Sequence, residues 1–310
     1  MHPVLFKIGP LTLYSLGLFW ALGALAAAWI VRLELKRYRY DLDLAGSVVT
    51  AAAVAGLLGA RLLFILEEWE SFTRAPFDFI FSGAGFSWYG GFVAGALAVV
   101  WVFKRNKLPL GQAADIAAPA LALGYGIGRI GCFLAGDATW GKVTDVPWAM
   151  AFPNAMAGWA DPLTGMPYPP GVRVHPTQLY ELVQSLIVFG ILWRLRKRKY
   201  PHGTLFSLYL VLAGSMRFVV EFWRVNPVVG FGMTEYQWIS LALVILGTGL
   251  LFYQMKFSKE EKKMAKDPVC RMNVEEQKAA STNQYQGRSY FFCSKSCKEK
   301  FDQNPEQYMK

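Results

Sequence analysis

The chain has 310 residues, of which 54% are hydrophobic and 17% charged, with a formal net charge of +10. Soluble domains carry about 45–50% apolar and about 25% charged residues, so this composition excludes a disordered chain, and four Cys exclude a disulfide-stapled mini-protein. The basic excess does not describe a nucleic-acid binder, because Lys and Arg fall between long apolar runs, and no nucleic-acid partner is expected.

Residues 1–255 are oily and residues 256–310 are not. Seven apolar stretches, 11–31, 45–66, 86–103, 111–135, 177–193, 204–223 and 235–255, are long enough to predict bilayer-crossing helices. The first lacks a basic leader and a small-x-small cleavage site, so it reads as a span rather than a cleaved signal peptide. Basic residues follow the first, third and fifth stretches, 12 Lys/Arg in all, whereas the N-terminal tail and the alternate loops hold only Lys7, Arg74, Lys142, Arg173 and Arg224. The positive-inside rule then gives an outside N-terminus and a cytosolic C-terminus. Trp69, Trp140, Trp148 and Trp159 lie in the outward loops, with Trp88 at the start of the third stretch, as in an interfacial belt or a folded cap. Loop 137–175 is too long for a connector and predicts a small outward head.

Three arginines remain inside predicted spans: Arg61, Arg129 and Arg217. Each costs at least about 2.5–3.5 kcal/mol at a helix centre, so each needs a reason. Either they pair with acids inside the bundle or they hold an anionic ligand, lipid phosphate being the local anion. The acids within reach are Asp115 and Glu221, with Asp137 and Glu181 near span ends. Arg217 and Glu221 are i, i+4 and can pair, and Arg224 follows Glu221 by three. Gly124, Gly126 and Gly128 beside Arg129 permit close helix approach. His175, accompanied by Gln178, Tyr180 and Glu181, sits at the entrance to the fifth stretch as a structural or a functional residue.

Several runs follow in order: Phe6-Lys-Ile-Gly-Pro10, Gly59-Ala-Arg61, Ser87-Trp-Tyr-Gly-Gly91, Gly128-Arg-Ile-Gly-Cys-Phe133, Gly136-Asp137, Trp140-Gly141, His175-Pro-Thr-Gln-Leu-Tyr-Glu181 and Arg217-Phe-Val-Val-Glu-Phe222. Through them residues 4–255 resemble the bacterial prolipoprotein diacylglyceryl transferases. The resemblance implies an all-α polytopic protein of the inner membrane with seven transmembrane helices and an outward-facing head. It implies transfer of a diacylglyceryl group from phosphatidylglycerol to the lipobox cysteine of a preprolipoprotein among membrane lipids, with no cofactor. By that resemblance Arg129, Arg217, Tyr89, Asp137 and Glu221 would be catalytic, and Arg61, His175, Gln178, Glu181, Gly128 and Gly141 would bind substrate. The departures are Cys132, Ala135 and Asp137, where the family pattern has Asn, Asn and Glu, together with Tyr89 for a His that is a candidate base and changes at Tyr14 and Leu16. A rival reading is a divergent homologue that binds or transports an anionic lipid, or handles metal, without bond-making.

The tail begins with a charged linker, 256–266. Asp267-Pro-Val-Cys270-Arg-Met272, Tyr285-x-Gly287-x-x-Tyr290-Phe-Phe-Cys293, Cys293-Ser-Lys-Ser-Cys297 and the ending through Tyr308 resemble a YHS domain over 267–309. A small α+β cytosolic domain is expected over 267–310. In a reducing compartment Cys270, Cys293 and Cys297 suit a soft ion such as Zn or Cu(I) better than a disulfide; the alternative is that they are merely buried.

Overall fold

The computed structural model describes residues 1–9, 11–77, 85–261, 264–286 and 288–308. Pro10 and Gly287 of the quoted motifs, and 262–263 of the linker, lie outside them. The chain divides into two compact units, Met1–Leu250 and Leu251–Lys310.

The first unit opens with a hairpin, β1 (Val4–Ile8) and β2 (Leu11–Tyr14), in which Phe6 faces Leu13 and Lys7 faces Thr12. The first predicted span thus starts as a strand and turns helical only at Ser15. Helix α1 (Ser15–Tyr38) then runs on through the basic segment, where Glu34 and Arg37 form an i, i+3 pair at 2.5 Å. It stops at Arg39, whose left-handed φ of 62° lets its N–H reach the carbonyls of Leu35 and Lys36. After α2 (Leu44–Glu67) and the short α3 (Trp69–Arg74) come α4 (Trp88–Arg105), α5 (Leu110–Ala135), α6 (Thr177–Leu195) and α7 (Thr204–Val220). A 3-10 turn, Glu221–Trp223, and a hairpin of β3 (Val228–Gly230) and β4 (Met233–Thr234) lead into α8 (Glu235–Glu261).

Among the described residues, five helical stretches, Ser15–Tyr38, Leu44–Glu67, Leu110–Ala135, Thr204–Trp223 and Glu235–Lys256, are long and apolar enough to cross a membrane. The two other predicted spans are helical too. They are shorter, at 18 and 19 residues, and more polar: α4 ends in Lys104 and Arg105, and α6 carries Gln178 and Glu181. Large apolar side chains such as Trp20, Leu25, Trp29, Leu57, Leu58 and Leu62 point outward, while Glu34, Asp115, Gln178, Glu181 and Glu221 are buried. That inversion is what lipid as solvent selects.

Helix α1 packs on α5, α2 on α4, and α5 on both α6 and α7. Small residues set the approach. A Cβ on Gly23 would lie 2.8 Å from the Gly124 carbonyl oxygen, so α1 and α5 touch backbone to backbone there. One shared core joins Ile30 and Leu35, Val48, Phe103 and Ile116; a second joins Ala118 and Ala122 to Val188, Leu192 and Leu205. Two buried acids hold the basic end of the bundle. Asp115 of α5 accepts the N–H of Gly203 at 2.7 Å and of Phe206 at 3.0 Å, capping α7 from a neighbouring helix. Glu34 pairs with both Arg37 and Arg196.

Residues 137–175 fold on themselves through isolated antiparallel bridges, Val143 with Val174, Met150 with Val174 and Ala160 with Pro167. Trp140, Phe152 and Val174 form the centre of this head, and Trp159 and Tyr168 pack against them. The four loop tryptophans therefore divide: Trp140 and Trp159 build the head, while Trp69 and Trp148 are exposed.

In the second unit α8 continues to Glu261, into the stretch read as a linker. Strand β5 (Met264–Lys266) pairs with β6 (Asn273–Glu275), and β7 (Ser281–Tyr285) with β8 (Arg288–Phe292). α9 (Lys295–Gln303) and α10 (Pro305–Tyr308) close the unit. Its core is aromatic: Phe301 is fully buried among Tyr285, Tyr290, Phe292 and Tyr308.

Candidate active site

Three helices bring charge to one point. Arg129 comes from α5, Glu181 from the first turns of α6, and Arg217 from the last turn of α7. Glu181 places one carboxylate oxygen 2.5 Å from Arg129 Nε and the other 2.5 Å from Arg217 Nη1. Tyr125, one turn before Arg129, accepts from the Arg129 guanidinium at 2.8 and 3.0 Å and donates to Glu181 at 3.1 Å. Arg217 also meets Glu221 at 2.9 Å, one turn further on. Arg224 completes the group at 3.3 Å from Glu181 and 3.9 Å from Glu221. Glu221 accepts as well from Asn226 at 2.5 Å and from the Thr234 hydroxyl at 2.9 Å.

The cluster thus carries three guanidinium groups against two carboxylates. The acids are sealed, with 2% and 0% of their side chains exposed, while Arg129 and Arg217 keep 15% and 22%. The arginines are therefore held from behind by acids and retain an edge for an anion in front.

Other predicted residues surround this point. His175 precedes α6, and its Nδ1 lies 3.0 Å from the Tyr180 hydroxyl. That hydroxyl also accepts from Trp148 Nε1 at 2.6 Å. Indole can only donate, so the Tyr180 oxygen is the acceptor in that bond, while the tautomer of the imidazole sets which partner donates between Tyr180 and His175. Burial holds the His175 pKa below its usual 6.5. Gln178 is completely buried, and neither of its amide atoms has a hydrogen-bond partner among the described residues. Gly141 is tightly enclosed, since a Cβ there would lie 2.8 Å from Thr177 Cγ2 and 2.9 Å from His175 Cβ. At this point the head is stitched to the bundle: Gly141 bridges to Arg224, and the Thr139 carbonyl accepts from Thr177 at 2.6 Å and from Arg224 at 3.0 Å. Gly128 faces the Trp20 indole at 3.7 Å. Asp137 accepts from its near neighbour Thr139, at 2.5 Å from the hydroxyl.

Two predicted residues bond elsewhere. Arg61 donates to the Gly85 carbonyl at 2.7 Å and lies over Phe86. Tyr89 donates to the carboxylate of Glu235 at the start of α8. The sequence reading missed Tyr125 and Glu235 as members of this region, whereas it set Arg224 three residues after Glu221, the acid it meets. It counted Arg224 as an outer-loop cation, and it offered Asp115 as an arginine partner although Asp115 caps α7. The i, i+4 spacing of Tyr125 and Arg129 was the one available signal for Tyr125.

In the second unit the ligand atoms of Asp267, Cys270, Cys293 and Cys297 all lie within 4.8 Å of one another. Cys293 Sγ is 3.3 Å from Cys270 Sγ and 3.6 Å from Cys297 Sγ. Asp267 is already engaged by the N–H groups of Val269, Cys270 and Cys293. Burial alone would raise its pKa, but these N–H groups outweigh it and hold the carboxyl at about 2. The Asp267 carboxylate, and after it the Cys270 thiol, push the Cys293 thiol up to about 12. Three adjacent thiols fit a soft metal ion, and ligation at Cys293 displaces a proton.

A bundle of long apolar helices with a cluster of three arginines and two buried acids beside a small head defines a polytopic membrane protein. Residues 3–253 match the prolipoprotein diacylglyceryl transferase family and residues 265–310 match the YHS domain. The chain belongs to the prolipoprotein diacylglyceryl transferase family. It is similar to proteins named phosphatidylglycerol–prolipoprotein diacylglyceryl transferase from several bacteria. That of Clostridium tetani is 34% identical over 250 residues, covering 80% of this chain and 95% of the relative. That of Dehalococcoides mccartyi is 32% identical over 271 residues, covering 85% and 98%. That of Pseudomonas aeruginosa is 34% identical over 254 residues, covering 79% and 88%.

Proposed function

We propose that this chain transfers the diacylglyceryl group of phosphatidylglycerol to the thiol of a lipobox cysteine in a preprolipoprotein, forming a thioether and releasing glycerol phosphate. The observation that supports this most is the excess of three arginines over two acids around Glu181. A lipid phosphodiester brings the missing negative charge. Arg129 and Arg217 clamp its oxygens in a low-dielectric cavity and stabilise the charge that develops as the glyceryl carbon–oxygen bond breaks. Glu181, Glu221 and Tyr125 fix the two guanidinium planes in advance, so little reorganisation accompanies the reaction. The unpartnered Gln178 amide suits a hydroxyl of the glycerol headgroup. His175, Gly141 and Gly128 shape the surrounding wall, and Arg61 fixes the turn before Tyr89. Tyr89 meets the incoming thiol, and Asp137 orients the loop at the mouth.

In this reading all seven apolar helices cross the inner membrane, with the N-terminus and the head outside and the tail in the cytosol. The asymmetry of basic residues supports that orientation. The transferase part extends to about residue 255, the charged stretch 256–266 joins it to the tail, and the YHS-like part covers 267–310. Cys270, Cys293 and Cys297 would hold Zn or Cu(I), which would supply structural closure to a unit too small for a large core.

The test is direct. Membranes containing the chain, labelled phosphatidylglycerol and a lipobox peptide should yield thioether-linked lipid. Arg129→Ala and Arg217→Ala should abolish it, and near-normal turnover in both would overturn the clamp. A second reading, binding or transport of an anionic lipid without bond-making, is favoured by the departures at Tyr89, Cys132, Ala135 and Asp137. It predicts lipid retention and no thioether while an active relative gives product.

A further inference from the structure

Tyr89 is a poor base by itself, since phenol near pKa ~10 keeps its proton at neutral pH. Its surroundings change that. Its hydroxyl donates to the carboxylate of Glu235, at the first position of α8. The neighbouring residue, Tyr236, lies under the guanidinium of Arg217, 4.9 Å from ring centre to Cζ. The bond between α4 and α8 is therefore one residue removed from the arginine cluster. The turn that presents Tyr89 is fixed on its other side by α2: Arg61 donates to the Gly85 carbonyl at 2.7 Å, and Glu67 accepts from the Ser87 hydroxyl at 3.1 Å. Gly91 lets α4 settle on α2, since a Cβ there would lie only 3.2 Å from both Ala60 Cβ and the Gly56 carbonyl oxygen. Among the described residues, the charged and titratable groups that these contacts bring to the pair and the turn behind it are Arg61 and Glu67 from α2, Arg217 from α7 and Tyr236 from α8. Tyr89 and Glu235 are both exposed in the protein surface, so a second molecule can reach them.

We propose that Glu235 is a positioning residue that completes Tyr89 as the proton acceptor for the attacking thiol. The thiol proton passes to the Tyr89 oxygen as the Tyr89 proton passes to Glu235. The sulfur–carbon bond forms while the glyceryl carbon–oxygen bond breaks, and that electron pair leaves on the phosphate oxygen. The proton returns through Tyr89 to the departing phosphate, so the pair ends as it began. This inference rests on the transferase reading.

The experiment uses the full chain in phosphatidylglycerol vesicles with a lipobox peptide, scored for thioether across pH 6 to 9. Tyr89→Phe and Glu235→Gln should each lose on the order of 10²-fold at neutral pH. Both should recover as pH rises through ~8.5, where a free thiol ionises unaided. Tyr89→His should transfer, and adding Glu235→Gln to it should cost little, because imidazole is a base without a relay. A wild-type rate and pH profile in Glu235→Gln would overturn the proposal. So would an equal loss from Glu235→Gln in the wild-type and Tyr89→His backgrounds, which would mark Glu235 as merely structural. Absence of product from the unsubstituted chain, while an active relative gives product, would overturn the transferase reading and the relay with it.

Discussion

Arg129 on α5 and Glu181 on α6 approach to 2.5 Å in the interior of the bundle, and the second oxygen of the same carboxylate serves Arg217. One acid therefore sets the spacing of two cations that would otherwise repel. Glu181→Gln keeps the shape and removes the charge, leaving three guanidinium groups with Glu221 alone. Breaking a buried ion pair from one side costs about 3–5 kcal/mol. Thermal unfolding in detergent should register that loss, and thioether formation should fall with it.

Arginine geometry, beyond charge, is needed at residue 129. The guanidinium contacts the Tyr125 hydroxyl through two nitrogens while meeting Glu181. A lysine ammonium cannot reproduce that fork. Arg129→Lys should keep the protein folded and lower kcat/KM for transfer by at least about 10-fold, that is ~1.4 kcal/mol. Equal turnover would show that positive charge alone suffices.

The neutral His175 ring predicts a pH effect on stability. In the folded chain its pKa lies below the ordinary 6.5. Between those two values the unfolded chain binds more protons, so stability is full above pH 6.5 and declines as pH falls. Melting temperatures from pH 7.5 down to 5.5 should drop more for the wild type than for His175→Gln, in which this titration is absent.

Asp115 is expected to be worth more than its distance from the arginines implies. It satisfies the N–H groups of Gly203 and Phe206, which otherwise sit buried at a helix start. Asp115→Ala leaves those donors unpaired and should cost about 1–3 kcal/mol, read as a lower melting temperature.

For the tail, metal content of the purified full chain should fall in the double variant Cys293→Ser, Cys297→Ser. Asp267→Ala should also lower it, indirectly, by freeing the Val269, Cys270 and Cys293 N–H groups that hold the thiols together. Unchanged metal in the double variant would assign the thiols to packing.

Hydropathy made the helices of the first unit legible, because a long apolar run with charged ends has few alternatives. It misplaced the start of the first: Leu11–Tyr14 belong to a hairpin whose partner, Val4–Ile8, is too short to show a period. The arginines were legible as residues that no loop could absorb. The Arg217–Glu221 pair was legible too, from its i, i+4 spacing; Glu181, visible only as an acid near a span end, was not legible as the shared partner of Arg129 and Arg217. Glu181 is far from Arg129 and Arg217 in the chain, and only packing brings α5, α6 and α7 together around it. For the same reason Asp115 looked like a counter-charge for arginine, when the adjacent element is the start of α7. Glu235 carried no signal, since an acid in a first helical turn is ordinary. In the tail, thiol spacing pointed to the Cys cluster, while the role of Asp267 depends on a loop closing over it.

The Asp115 contact also constrains motion. α5 and α7 run in the same direction, joined at their starts through Asp115 and Gly203, and each carries its arginine 14 residues later, about 20 Å along the axis. A pair of rods pinned at one end can part only at the other. If the two arginines separate to admit or release a lipid, the helices must open like tongs, with the hinge at Asp115 and the jaws at Arg129 and Arg217.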